Sequence, residues 1–276
     1  MHNMDAMKVS VIIPVYNEQE NIGSCLEHLV KQSYKNIEII VVDDGSTDGS
    51  IETVRKYPVQ LLRQEHKGPG AAKNLGVSKS RGNIVVFVDS DEFCNEDYVK
   101  SLIRPILEKK VIGTISNDAH ISNVNNKWAR CRSISEGLEK ANLGVRIADD
   151  DIFRAILKNR FLEVNGFDER VGYSDDKLSK KLGVKSYVVN NAKYYHKYPS
   201  TLKEVYKHAV WIGKGEDSRR HPFINFVAHL LPVSLVRGIM RAFRYREWSY
   251  MIFKVVFDFG LMVGVVKAVI VKDYSK

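Results

Sequence analysis

Short apolar runs alternate with helix-like patterns over the first 110 residues of the chain. The runs are rich in β-branched residues, as buried parallel strands are, and they cover residues 9–13, 37–42, 59–62 and 84–88. The helix-like segments place apolar side chains three and four positions apart, and they cover residues 18–32, 51–56, 70–79 and 96–107. Strands that alternate with helices predict an α/β fold with a mostly parallel, Rossmann-like sheet and helices on both faces.

The pattern is looser after Asn117. Residues 120–142 are mostly polar, with Trp128 among them, and we expect a long surface excursion there. Two further strands are predicted beyond it, at Ile152–Leu157 and Tyr187–Val189.

The last third of the chain differs in charge. Residues 193–276 carry 15 Lys and Arg against 6 Asp and Glu, whereas the preceding part is balanced, so the net charge of +9 lies here. We therefore divide the chain into residues 1–200, a sheet domain, and residues 201–276, a basic and apolar α-helical extension. Nucleic acid is not an expected partner, because the charge lies among apolar helices rather than on a groove-sized helix or an aromatic-bearing sheet.

The extension contains two apolar segments, Phe223–Val236 and Trp248–Val271. Neither offers the about 20 mostly apolar residues that a spanning helix needs. One interpretation is a helix pair in the interface of an anionic membrane, anchored by Trp248 and Tyr250. Four arginines would then contact the headgroups: Arg237, Arg241, Arg244 and Arg246. The alternative is a helical hairpin packed on the core or in a homo-oligomer.

The cysteines and the N-terminus bear on the compartment. Cys25, Cys94 and Cys131 are widely spaced, without a CxxC pair, which indicates neither a disulfide framework nor a zinc site. The first residues lack the apolar run of a signal peptide. We therefore expect a cytoplasmic protein, peripheral to the inner face of the cell membrane.

Three polar segments follow predicted strands: Pro14–Glu18, Asp43–Asp48 and Asp89–Glu92. Parallel strands bring them to one edge of the sheet, where ligands of such folds bind. Two carboxylates in the Asp89-Ser90-Asp91 sequence repel each other unless a cation neutralises them, and Mg²⁺ or Mn²⁺ suits oxygen ligands. Such ions also take substrate phosphates, so the pattern indicates a diphosphate substrate, although a solvated turn is an alternative.

The other two segments add groups suited to a nucleotide. Tyr16 offers an aromatic face to a base, and the carboxylates of Asp43 and Asp44 can accept hydrogen bonds from a base or a ribose. The glycine-bearing loop 67–74 enters a helix and carries Lys73, which suits phosphate. Ordinary capped turns and a flexible loop are the alternatives. P-loop and dinucleotide-binding fingerprints are absent, which argues against both classes.

Four motifs in order resemble those of family 2 glycosyltransferases, which have the GT-A fold. They are PVYNE at 14–18, VVDDGSTDGS at 41–50, GPGAAKNLG with RGNIVVFVDSD at 68–91, and NGFDE with SDDKL at 165–178. The resemblance covers roughly residues 7–215. It implies metal-dependent, inverting transfer of a sugar from a nucleoside-diphosphate sugar to an acceptor.

The resemblance also assigns roles to residues. Tyr16 and Asp44 would hold the base, and Lys73 stands where the family commonly has arginine. Gly166 stands in an Asn-Gly where the family usually has Gly-Gly. The residues implied at the donor are Pro14, Tyr16, Glu18, Asp43, Asp44, Lys73, Asp89, Ser90 and Gly166. The residues implied at a Mn²⁺ or Mg²⁺ ion are Asp89, Asp91 and His196.

The implied general base lies in the fourth motif. The family's Glu-Asp pair is Ser174-Asp175 here, so Asp175 takes the position of the base and Asp176 is the second candidate. The expected acceptor is a lipid-linked or cell-envelope glycan; a polyprenyl phosphate would need little base catalysis, since its oxygen is already ionised. Because the glutamate is missing, the alternative function is a catalytically inactive scaffold at a membrane.

Overall fold

The computed structural model of the chain describes residues 7–137, 145–146, 150–169, 178–215 and 231–271. The strands are β1 Val9–Val15, β2 Ile37–Asp43, β3 Gln60–Arg63, β4 Ile84–Phe87, β5 Glu92–Cys94, β6 Gly113–Ser116, β7 Ala119–Ile121, β8 Val145–Arg146, β9 Ala155–Leu157, β10 Tyr187–Val189 and β11 Tyr194–His196. The helices are α1 Ile22–Val30, α2 Ser50–Val54, α3 Pro69–Lys79, α4 Tyr98–Leu107, α5 Lys127–Ser135, α6 Lys158–Glu163, α7 Leu178–Leu182, α8 Leu202–Gly213, α9 Leu231–Tyr245 and α10 Ser249–Val266. A π-helical turn, Lys267–Val271, follows α10.

The described strands form two sheets. The larger has the order β10-β6-β9-β4-β1-β2-β3, in which β4, β1, β2 and β3 run parallel and β9 is antiparallel to both of its neighbours. The smaller has the order β5-β11-β7-β8. The predicted α/β fold with a mostly parallel sheet is confirmed, and so are the strands and helices predicted in the first 110 residues, to within a few residues at their ends.

Strand β1 shows why the sheet is covered on both faces. Val9, Val11 and Ile13 belong to a buried apolar cluster that includes residues of α1 and α4. Ile12 points the other way, into a second cluster with residues of α3 and α6. Alternate side chains of a strand point to opposite faces, so a strand that is buried at nearly every position needs helices on both sides.

Strand β1 continues through Pro14, where we expected it to stop. Pro14 is paired with Val42 of β2, but the pairing of β1 with β4 ends at Ile12. A proline in a strand is tolerated where its missing N–H has no partner to serve. The open side beyond Ile12 begins the cleft described below.

The expected surface excursion at residues 120–142 is wrong for its described part. Helix α5 lies there, and Ala129, Cys131 and Ile134 on it are buried. Asn126 caps its first turn by accepting hydrogen bonds from the backbone N–H groups of Trp128 and Ala129. The polar residues between these apolar positions obscured the helix, because they form its solvated face.

Helices α8 and α10 cross with their backbones in close contact. A Cβ atom added to Gly264 would lie 2.8 Å from the Cα of Gly213, and one added to Gly260 would lie 2.7 Å from the Cβ of Ala209. Small residues four positions apart on each helix, Ala209 and Gly213 against Gly260 and Gly264, allow this approach. Helix α10 is therefore packed against α8 within the extension, and its contacts with α5 join the extension to the rest of the protein.

Helix α9 is fixed to α10 and α5 by polar contacts. Asp258 is fully buried, pairs with Lys254 Nζ at 2.6 Å and accepts a hydrogen bond from Ser234. Arg241 Nη1 donates to the carbonyl of Ile134 at 3.0 Å, at the C-terminus of α5. Arg241 therefore caps a helix within the protein, whereas we expected it at lipid headgroups.

Tyr250 differs from its expected role as an interface anchor. Its side chain is fully buried in the cluster between α5, α8 and α10, and its hydroxyl accepts a hydrogen bond from Arg241. Trp248 is 58% exposed. In the described part of the chain, the helices are too short or too polar to cross a membrane.

Candidate functional site

A cleft of about 650 Å³ opens at the carboxyl ends of β1 and β4. It brings together most of the residues that we expected at the donor and metal: Pro14, Tyr16, Glu18, Asp44, Lys73, Asp89, Ser90, Asp91 and His196. Val15, His66 and Pro69 also line it, and later elements contribute the remainder: Ile115, Ser116, Ala119, Arg132, Glu136, Ile152, Arg154, Tyr194, Tyr198, Lys207, His208, Trp211 and Ile212. Three loops far apart in sequence thus meet because the parallel strands end at one edge.

Asp44 organises the loop that follows β3. Its Oδ1 accepts hydrogen bonds from Gln64 Nε2 and Lys67 N, and its Oδ2 accepts from Gly68 N at 2.8 Å and contacts His66 Nδ1 at 2.8 Å. An ionised carboxylate has about four acceptor positions. All four therefore serve the protein, and Asp44 positions residues 64–68 rather than presenting an open acceptor.

His66 and Tyr16 form a flat aromatic surface on the cleft. Their ring centroids are 4.0 Å apart and the planes differ by 18°. Tyr16 is 43% exposed, so one face of the pair is open to a ligand. A planar base stacks well on such a surface.

Two cationic side chains surround Asp89, the buried Lys73 and the largely buried Arg154. Lys73 Nζ lies 3.5 Å from Asp89 Oδ1, and Arg154 Nη1 lies 3.2 Å from Asp89 Oδ2. Arg154 also forms a bidentate pair with the fully buried Glu92, with a shorter distance of 2.7 Å. Although burial opposes ionisation, Lys73 and Arg154 hold the pKa of Asp89 well below its ordinary value. The structure thus supplies cationic side chains of its own to Asp89–Glu92, the acidic loop.

Asp91 and His196 form a second pair on the cleft surface. His196 Nδ1 lies 3.6 Å from Asp91 Oδ1, because β11 pairs with β5 directly after the acidic loop. Within the described ranges, no three His, Cys, Asp or Glu side chains form a complete metal site. One carboxylate and one imidazole nevertheless fit a divalent ion that takes its other ligands from water and a diphosphate.

Two expected donor residues lie outside the cleft lining. Asp43 is buried below it, where its carboxylate accepts hydrogen bonds from Ser46 N and Arg63 Nε. Gly166 has a φ of 59°, and a Cβ there would lie 2.8 Å from the Phe161 ring. Both residues therefore shape turns near the site. Asp175 and Asp176, the expected bases, lie outside the described residues.

Sequence reasoning missed His66 and Arg154. His66 follows β3, so the argument that the ends of parallel strands share an edge would have included it. Arg154 directly precedes β9, and it reaches Asp89 because β9 runs antiparallel to β4 and starts at the cleft edge. The direction of a short apolar strand has no signature in its own sequence.

The fold shifts the titration of Glu18 towards neutrality. Burial raises its pKa from 4.5 to about 7, and the nearby charge of Asp91 adds to the shift. Asn21 Nδ2 donates a hydrogen bond to Glu18 Oε2 at 2.7 Å, which favours ionisation and offsets part of the effect.

We expect Glu18→Gln to change how the stability of the metal-free protein depends on pH. The folded chain keeps a proton on Glu18 between pH 4.5 and about 7 that the unfolded chain has lost, so the free energy of unfolding falls across this window as pH rises. Glutamine has no proton to lose and retains an acceptor for Asn21. The variant should match the parent near pH 4.5 and exceed it at pH 8 by about 2 kcal/mol in urea unfolding.

The control for this prediction is Glu20→Gln, a change in an exposed neighbour. It should leave the pH dependence of the parent unchanged. Stability curves of the parent and Glu18→Gln that run parallel from pH 4.5 to 8 would contradict the prediction.

Comparison with known proteins decides the family. Residues 10–166, more than half of the chain, match the model of glycosyl transferase family 2. The chain belongs to this family. The family that the four motifs indicated is thereby confirmed.

Individual relatives match part of this chain. Glycosyltransferases GlyA and GlyG of Streptococcus pneumoniae serotype 4 are 41% and 42% identical to this chain over 115 residues. Each match covers 40% of this chain, but 16% of GlyA and 38% of GlyG. The chain therefore matches well under two thirds of the length of these relatives.

A solved structure extends the comparison to nearly the whole chain. The mannosyltransferase PcManGT from Pyrobaculum calidifontis, in complex with GDP-Man and Mn²⁺, has a TM-score of 0.62 at 20% identity. The match covers 97% of this chain and 88% of PcManGT. This likeness confirms the GT-A fold and the presence of C-terminal helices.

Proposed function

We propose that this protein is a glycosyltransferase that moves a sugar from a nucleoside-diphosphate sugar to a lipid-linked or cell-envelope glycan acceptor, with a divalent metal and with inversion at the anomeric carbon. The observation that carries the proposal is one cleft lined by Tyr16, Lys73, Asp89, Asp91 and His196. An aromatic surface, cations and an acidic pair in one cleft are the groups that a base, a diphosphate and its metal require.

The donor would lie along the carboxyl ends of β1 and β4. The Tyr16 and His66 pair would stack on the base, and Asp44 would act by holding His66 in place. Lys73 and Arg154 would keep Asp89 ionised and oriented towards the ribose or the metal. These residues bind and position the donor before the chemical step, since they fix it where it can be attacked.

Asp91 and His196 would hold the metal. When bound, a divalent ion neutralises the charge that develops on the departing nucleoside diphosphate. We favour Mn²⁺ over Mg²⁺ because the pair includes an imidazole nitrogen, which Mg²⁺ accepts less readily than oxygen. PcManGT, which has the same fold, was solved with Mn²⁺.

The acceptor determines whether a base is needed. For a hydroxyl acceptor, Asp175 would take its proton while the oxygen attacks the anomeric carbon on the face opposite the departing diphosphate, and Asp176 is the second candidate. For an acceptor that attacks through an ionised phosphate oxygen, Asp175→Asn would keep nearly full activity. The ratio of Asp175→Asn to parent activity therefore distinguishes the two acceptors.

The experiment that tests the proposed function is a panel of UDP- and GDP-sugars with and without Mn²⁺. We expect one donor to raise the melting temperature by several degrees in the presence of Mn²⁺. The same donor should be hydrolysed slowly by water, with release of its nucleoside diphosphate. If a donor binds and no nucleotide is released with or without added glycan acceptors, the catalytically inactive scaffold is the better interpretation. If no donor binds, both functions fail.

The outer face of α9 is the proposed membrane-binding surface. It carries Val236, Met240 and Phe243 three or four residues apart, and Trp248 and Ile252 extend it; each of the five is at least 56% exposed. Arg244 and Arg246 are exposed beside them. A contiguous apolar stripe flanked by arginines fits the interface of an anionic leaflet, where each arginine contributes about 1 kcal/mol.

We expect Met240→Ser/Phe243→Ser to weaken binding to anionic vesicles at least tenfold, because each buried apolar side chain contributes about 1.5 kcal/mol or more. Flotation with phosphatidylglycerol vesicles at low and high salt measures this. Leu162→Ser, at an exposed apolar residue of α6, is the matched control and should bind like the parent. A parent chain that fails to float at low salt contradicts the proposal; if it instead forms a dimer that the double variant dissociates, the face binds a second copy.

A further inference from the structure

The second half of the cleft has no role in donor binding as described above. Helix α5 contributes Arg132, the residue that follows α5 contributes Glu136, and α8 contributes Lys207, His208 and Trp211. We divided the sequence between the cleft domain and the extension at residue 200, yet α8 forms a wall of the same cleft. An activated sugar needs an acceptor beside it, and this wall is available to bind one.

This wall of the cleft carries more positive than negative charge. Among the described residues of this wall, the acidic one is Glu136. Its carboxylate forms an ion pair with Arg132 Nη2 at 3.0 Å and accepts a hydrogen bond from the hydroxyl of Tyr198. Arg132 also packs over the ring of Phe257, 5.3 Å from its centroid, which fixes it in the wall. Lys207 is exposed on the cleft and forms no ion pair within the described part of the chain. The wall therefore presents an uncompensated positive charge.

An aromatic surface lies one helical turn from this lysine. The rings of His208 and Trp211 are stacked, with centroids 6.2 Å apart and planes 20° apart, and both line the cleft. Trp211 and Lys207 are four positions apart and share a face of α8. A cation beside a flat apolar surface suits a ligand that has both an anionic group and an apolar or sugar part.

The wall is held rigidly. Its helix crosses α10 at Gly213 and Gly264, where the backbones are in contact, and α10 in turn carries α9 through the buried Asp258. A site that is fixed before the ligand arrives loses less conformational entropy on binding. The same packing connects the wall to the proposed membrane-binding surface.

We propose that α8 forms an acceptor subsite that binds a phosphate group of the acceptor through Lys207, with Trp211 stacking on the part attached to that phosphate. This inference rests on the proposed function, and it adds the chemical class of the acceptor. The phosphate belongs either to a lipid-linked acceptor or to a soluble sugar phosphate. Both sources present the same charge to Lys207.

Trp211 itself reports binding. The chain has three tryptophans, so Trp128→Phe/Trp248→Phe leaves Trp211 as the sole indole fluorophore. The probes are geranyl phosphate, geraniol, glucose 6-phosphate and inorganic phosphate. We expect the phosphate compounds to change the Trp211 emission in a saturable way. Geranyl phosphate should bind at least tenfold more tightly than geraniol. A preference for geranyl phosphate over glucose 6-phosphate identifies a lipid-linked source, and the reverse identifies a soluble one.

Variants of α8 separate the subsite from a general effect of charge. Lys207→Gln should weaken binding of the preferred phosphate about tenfold and leave Mn²⁺-dependent donor binding unchanged. Lys203→Gln removes an exposed lysine of the same helix that does not line the cleft, and it should have little effect on either ligand.

Two results would overturn the inference. One is an unchanged Trp211 emission at millimolar concentrations of every phosphate probe, and the other is equal weakening by Lys203→Gln and Lys207→Gln. Donor-dependent nucleotide release in the same preparation keeps this failure distinct from a failure of the proposed function. If nucleotide is released but the Trp211 emission does not change, the inference of an acceptor subsite is wrong and the proposed function is unaffected.

Discussion

Asp91→Asn should reduce sugar transfer on the order of 10³-fold while the fold stays intact. The change removes the charged oxygen donor that lies 3.6 Å from His196 Nδ1, at the proposed metal site. Loss of one preorganised electrostatic group in an active site costs about 10² to 10³ in rate, and metal affinity would fall as well. Rates with the preferred donor, and the Mn²⁺ concentration that gives half-maximal rate, measure both effects.

The fold of the Asp91→Asn variant should be at least as stable as the parent without metal. Asp91 raises the pKa of Glu18, so the two carboxylates repel each other, and asparagine relieves this repulsion. Asp150→Asn is the matched control, because Asp150 lies in an exposed ion pair with Lys185 away from the cleft lining. A variant that keeps more than a tenth of the activity, with the Mn²⁺ dependence of the parent, would exclude Asp91 as a metal ligand.

Gly264→Ala should lower the free energy of unfolding by about 3 kcal/mol. In the interior of a helix, a change from glycine to alanine normally stabilises by about 1 kcal/mol. Here the added Cβ would meet the carbonyl oxygen of Val210 and lie 2.8 Å from the Cα of Gly213, and both are backbone atoms that cannot rotate away. Helices α8 and α10 must then separate, at the cost typical of an overpacked core. Urea unfolding of the two proteins measures the difference.

Gly238→Ala is the control within the same helical extension. A Cβ at Gly238 would lie 3.5 Å from Lys254 Cβ, which is an ordinary contact, so this variant should gain up to about 1 kcal/mol. Because α8 forms a wall of the cleft, Gly264→Ala should also weaken the response of Trp211 to phosphate probes. Equal stability of the two variants would show that α8 and α10 do not need their close approach.

The fold of the first 110 residues was predictable because its signals are local. The central strands β1, β2 and β4 are buried on both faces, so runs such as Ile39–Val42 and Ile84–Val88 are apolar at every position. The helices between them show apolar residues on one side. Helix α5 was missed for the complementary reason, since a short helix with Ala129 and Cys131 as buried positions has a weak apolar pattern.

The donor end of the candidate site was also predictable. Tyr16, Asp44, Asp89 and Asp91 all follow predicted parallel strands, and the order of the strands brings them together. The distribution of charge within the site was not. The sequence suggested that a cation alone could keep the acidic loop ionised, whereas Arg154 and Lys73 already contact Asp89. Their distance in sequence from Asp89 gives no indication of this contact.

Local spacing in the sequence determined the parallel sheet, the edge where ligands bind and the acidic loop at that edge, because these depend on strands and turns that each form within about ten residues. The tertiary structure alone decided the direction of β9, the inward position of Arg241 and the placement of α8 against the cleft. Each of these depends on contacts between segments far apart in the chain, as between Gly213 and Gly264 or Arg241 and Ile134. Such contacts arise from the packing of whole helices, and a composition that suits a membrane surface suits a buried helix pair equally well.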